Sequence, residues 1–164
     1  MNILQHLIDE INKKSDPLEN HYFIHAFSAL EALNRVDKNN FCYDDVSRAV
    51  YTLERLYKGF LYAAQENLGW YRVPDTQFLT QQHDLSVLFK EIMNCSPYVF
   101  PRQNRYEWEE TQQFLKDLSN ACFESRYTTY PTYEEFDSIR KFVNYQKKII
   151  ETFIKSGGLE ETDE

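Results

Sequence analysis

The chain has 164 residues, 42% of them hydrophobic and 27% charged, with 26 Asp and Glu against 18 Lys and Arg and a formal net charge of −8. That composition predicts one core in an ordinary globular domain and excludes disordered and membrane-spanning classes. The acidic balance repels polyanions at long range, so it excludes a nonspecific nucleic-acid binder and leaves room only for a local basic site.

Ile3, Leu4, Leu7, Ile8 and Ile11 recur at helical spacing and predict a short first helix. Acidic Asp9 and Glu10 stand where an export signal stays apolar, and no apolar run approaches the ~20 residues of a membrane span. Cys42, Cys95 and Cys122 are odd in number and widely spaced, which predicts reduced thiols filling a core. The expectation is a cytoplasmic protein with no membrane contact.

Asp16 and Pro17 predict the start of a second helix running to about Val36, with Phe23, Phe27, Leu30 and Leu33 inward. Asp44 and Asp45 open the longest segment, whose apolar stripe from Val46 to Ala64 ends at Asn67-Leu68-Gly69. A fourth helix is predicted from about Thr80 to Asn94, turning Leu85, Leu88, Phe89 and Ile92 inward. Trp108, Thr111, Leu115, Leu118 and Cys122 form the seam of a fifth. Thr132-Tyr133-Glu134-Glu135 is a capping box that starts a sixth, closed by Gly157-Gly158. The fold class expected is all-α, a bundle of five or six helices in a single domain over 1–157, with a disordered acidic tail at 158–164.

Three stretches carry a family resemblance. They are the long helix with Ser47-Arg48-Ala49-Val50, Leu53-Glu54-Arg55-Leu56 and Lys58-Gly59-Phe60-Leu61, then Gln82-His83-Asp84-Leu85-Ser86-Val87-Leu88, then Ser125-Arg126-Tyr127 with Pro131 soon after. In that order and spacing, over roughly 43–155, the chain resembles the HEPN family (higher eukaryotes and prokaryotes nucleotide-binding). The resemblance implies an antiparallel, up-and-down bundle that dimerises and works beside a nucleotidyltransferase. Some members of that family are metal-independent ribonucleases, in which an arginine and a following histidine act on the phosphate and the 2′-hydroxyl. Arg126 matches the arginine, but Pro131, Thr132 and Tyr133 stand where the histidine should fall, and no histidine follows His83.

Arg126 can grip a phosphate, and Tyr127, Tyr130 and Tyr133 can stack on a base; equally, Arg126 can pair with an acid while the tyrosines wedge helices together. His83, in the first turn of its predicted helix, is singled out by the resemblance alone, and as a bare feature reads as a structural hydrogen-bonding residue. His21 and His25 have the spacing of a metal pair, but two ligands make no site, so no metal is expected. Arg102 and Arg105 among Tyr98, Phe100 and Tyr106 either extend a nucleotide groove or pack loop on helix. No phosphate-binding glycine loop, dinucleotide fingerprint or nucleophile elbow occurs, so no cofactor is expected.

The leading expectation is a noncatalytic domain that binds a nucleotide, an RNA end or a protein partner as a homodimer, with Arg126, Tyr127, Tyr130, Tyr133 and His83 as its site. The alternatives are a ribonuclease of toxin or defence type with an altered active site, and a helical module that binds protein only.

Overall fold

A computed structural model describes residues 2–12, 16–68, 75–124 and 131–160, the side chains of 9–12 and 121–124 apart. The described residues form seven α-helices and no strand: α1 (Ile3–Asn12), α2 (His21–Asn34), α3 (Asp44–Leu68), α4 (Thr76–Gln81), α5 (Leu85–Cys95), α6 (Arg105–Glu124) and α7 (Tyr133–Lys155). None is long and apolar enough to cross a membrane.

α3 is the axis on which the others pack. Its apolar stripe Leu53, Leu56, Tyr57, Phe60, Leu61 and Ala64 is fully buried, and α2, α4, α5, α6 and α7 all lie against it. The large rings interlock there: Phe89 stacks on Phe100 at 4.6 Å, and Phe60 meets Phe153 at 5.9 Å. The approach of α2 to α3 depends on Gly59, because a Cβ there would stand 2.7 Å from the Phe23 ring. Tyr57, wholly inside, donates its hydroxyl to Gln146 Oε1 of α7 at 2.9 Å, and burial pushes its proton affinity up.

Local capping sets the breaks, and it departs from expectation at two of them. Asp16 does accept from the Leu18 amide, but Pro17–Glu19 form only a 3-10 turn. Asn20 then caps α2 afresh, accepting from the Phe23 amide while its amide group donates to the carbonyls of Pro17 and Gly59. The predicted helix from Thr80 is two helices: Asp75 caps α4, and Asp84 caps α5 by accepting from the Ser86 amide and hydroxyl. Residues 82–84 between them are not helical, so His83 precedes α5 instead of lying in its first turn.

Thr132 caps α7, its hydroxyl accepting from the Glu135 amide at 3.2 Å. α7 closes with Gly157 at φ +85, a left-handed turn in which the Gly158 amide reaches the Phe153 carbonyl. The turn returns Leu159 to the core at 3% exposure, so the tail expected from 158 is ordered through 160, and 161–164 lie outside the described residues. Cys42 is exposed rather than core, and Cys95 is half-buried with its thiol proton held by burial. The Cys122 side chain lies outside the description.

Candidate functional site

Arg126, Tyr127 and Tyr130 lie outside the described residues. Tyr133 is at the start of α7, half-buried, with its ring 5.9 Å from Phe41 and 6.1 Å from Phe136. Its hydroxyl accepts from Arg140 Nη2 at 3.1 Å. Arg140 in turn donates through Nη1 to the carbonyls of Leu33 and Val36, closing the end of α2. Asp137 takes the same guanidinium at 2.6 Å, and hydrogen bonds from Arg140 and then Lys141 hold its carboxyl below the usual range. Tyr133 therefore works here as part of a helix clasp.

His83 has different partners. Its Nδ1 lies 3.2 Å from Glu54 Oε1, and since a carboxylate only accepts, that nitrogen carries the proton. Glu54 Oε2 is 3.3 Å from Lys58 Nζ, one turn along α3, and both side chains are at most 10% exposed whereas the imidazole is 62% exposed. The sequence blocks containing Glu54, Lys58 and His83 thus converge on one buried ion pair with a solvent-facing imidazole at its rim. Glu54 also makes Tyr22 of α2 harder to ionise, after the larger effect of that hydroxyl's burial.

By helical register Glu54 and Lys58 follow Tyr51 by three and seven residues, which continues the same side of α3 toward its N-terminal half. There α2 and α3 frame an open groove of about 730 Å³, with Ala29, Leu33 and Val36 as its apolar wall. Arg48, Tyr51, Thr52 and Arg55 supply the other wall, which Asp44, Asp45 and Ser47 also line. The Arg55 guanidinium stacks 4.3 Å from the Tyr51 ring centre, a geometry that holds its donor fork in place. Arg48 is 66% exposed and spends one nitrogen on Asp45 Oδ1 at 3.3 Å. Asp45 is committed inside the protein, since its other oxygen accepts from the Cys42 amide at 2.9 Å. The groove falls within the ~300–1,000 Å³ of small-ligand sites. Two guanidinium forks beside an exposed ring can hold a phosphate and a base together.

The remaining candidates are absorbed by packing or solvent. His21 lies against Tyr22 and Tyr62, with ring centres at 4.1 and 5.5 Å. Arg105 pairs in the open with Glu109 at 3.2 Å, and Phe100 is buried in the core. Among the described residues no three His, Cys, Asp or Glu side chains stand together as metal ligands.

Arg48, Glu54, Arg55 and Lys58 lie in the stretches that carry the family resemblance but were not among the expected site residues. The legible signal was spacing: positions 48, 51, 55 and 58 follow one another at three and four residues, which puts Arg48, Tyr51, Arg55 and Lys58 on one side of α3. No protein-family model, curated protein or solved structure matches the chain.

Proposed function

We propose that the chain is a noncatalytic HEPN-like module, an antiparallel up-and-down bundle that binds a phosphorylated nucleotide or RNA end in the α2–α3 groove. The observation that carries this reading is the Arg48–Tyr51–Arg55 wall, where charge and stacking surface occur together on a chain of net charge −8. The antiparallel course is supported by two contacts: Arg140, early in α7, reaches the end of α2, while Phe153, late in α7, meets Phe60 beside the Gly59 that holds Asn20. Arg126 lies outside the described residues, and no histidine follows it in sequence, so no imidazole base comes after it.

A second reading, a module that binds a protein such as a nucleotidyltransferase, is favoured by the uncovered apolar face of α1, where Ile3 is 78% exposed. A thermal-shift series with mono-, di- and triphosphate nucleotides separates the two. A groove ligand at 100 times its dissociation constant stabilises the fold by about 2.7 kcal/mol. No shift with any nucleotide returns the function to protein binding. Cleavage of labelled RNA by the parent, lost in a folded Arg126→Ala variant, would instead establish the ribonuclease.

A further inference from the structure

The Glu54–His83 contact stands apart from the α2–α3 groove, which neither residue lines. Its geometry is that of a carboxylate holding an imidazole in one tautomer. Glu54 Oε2 is committed to Lys58 Nζ at 3.3 Å, and the two α3 side chains are 10% and 5% exposed, so the carboxylate is fixed in a dry setting. Its Oε1 accepts from the Nδ1–H of His83 at 3.2 Å. The backbone that carries the ring is pinned as well: the Asp84 amide donates to Gln82 Oε1 at 3.0 Å, and the Leu85 amide donates to Ser119 Oγ of α6 at 2.9 Å.

With the proton on Nδ1, the other ring nitrogen, Nε2, carries a lone pair and no hydrogen. The imidazole is 62% exposed, so reagents in solution can reach it. A carboxylate on Nδ1–H is the arrangement that readies an imidazole in catalytic triads, and on an exposed ring the freed lone pair is itself a nucleophile.

We propose that His83 is a phosphoryl-acceptor site, its Nε2 taking the group from a small high-energy donor, an acyl phosphate or an N-protonated phosphoramidate. The Nε2–P bond forms as the P–O bond to the carboxylate, or the P–N bond to ammonia, breaks, and the leaving group departs with the electron pair. No proton has to be removed, because Nε2 carries none and Nδ1 keeps its own. The ring becomes cationic, and its Nδ1–H already lies against Glu54 Oε1, while Lys58 supplies the counter-charge that a buried carboxylate needs. An acyl group on a cationic imidazole is quickly lost to water, whereas the negative charge of a phosphoryl group repels hydroxide, so phosphoryl is the group this nitrogen retains. The inference uses neither Arg48 nor Arg55, so it stands apart from the nucleotide reading.

The test is phosphorylation of the full chain by potassium phosphoramidate at neutral pH. Mass spectrometry maps the acid-labile phosphoryl group to each histidine, and phosphorus nuclear magnetic resonance assigns the ring nitrogen. His6 and His25, both exposed, are references within the same molecule. His83 is expected to react at least about tenfold faster than either, and at Nε2 alone. In a Glu54→Leu/Lys58→Met variant, whose fold circular dichroism checks, its rate should fall to that of His25 and Nδ1 should become labelled as well. A His83→Gln variant, which changes an exposed side chain, should lose the fast phase and keep the slow one. Reaction of the parent's His83 no faster than His25, or at Nδ1, overturns the proposal whether or not the α3 variant folds. A folded α3 variant that reacts like the parent overturns it too.

Discussion

α3 and α1 are built on the same apolar periodicity, yet among the described residues α3 is enclosed by five helices and α1 packs against none. α3 buries even Thr52, Glu54, Lys58 and Gln65, whereas α1 leaves four large apolar side chains more than 40% exposed. The comparison shows that a 3.6-residue pattern specifies a helix and a face but not what covers the face. On α3 enclosure raises the stakes of every polar group; on α1 the same residue types stay in solvent.

The sharpest way to break the comparison is at the α3 ion pair. Glu54→Ala leaves Lys58 buried without its carboxylate, and urea denaturation should show a loss of about 3–5 kcal/mol. Glu54→Leu with Lys58→Met should recover much of that, since an apolar pair of similar volume avoids the uncompensated charge. Next comes close packing: Gly59→Ala sets a methyl 2.7 Å from the Phe23 ring and should cost about 1–3 kcal/mol by the same measurement.

Tyr57 gives a comparable effect with a pH signature. Its folded proton affinity is raised from 10.0, so its contribution is complete below pH 10.0 and is lost as pH rises toward the folded value. Tyr57→Phe should lower stability at pH 7 by about 1–3 kcal/mol through the orphaned Gln146 oxygen, and should flatten the decline above pH 10.0. The smallest effect belongs to α1: Leu7→Asp, measured at sub-micromolar protein, should change stability by less than about 0.5 kcal/mol.

Helices α3 and α7 were legible because their signals are local: Asp44 and Asp45 at one start, the Thr132 box at the other, and glycine at the close of α7. The break at 82–84 was not. It depends on Gln82 Oε1 accepting from the Asp84 amide, and on Asp84 turning back to Ser86, a choice that periodicity does not register. Arg140 left no trace in the sequence either, because the carbonyls it closes are 104 and 107 residues away. Arg48 and Arg55 were visible as letters, but their role needed Ala29, Leu33 and Val36 of another helix to make a groove. Glu54 and Lys58 have the spacing of an i, i+4 pair, but that spacing does not register their burial by the neighbouring helices.

The most direct test of the functional account is calorimetric titration of the parent and an Arg48→Ala/Arg55→Ala variant with the nucleotide that gives the largest thermal shift. Both arginines are on the open side of α3, so the variant should stay folded by circular dichroism. The account predicts saturable binding by the parent, weakened at least about tenfold in the variant, in keeping with charge-assisted bonds of about 1.5–3 kcal/mol each. Equal affinity in the two proteins would contradict it and place the ligand elsewhere on the chain.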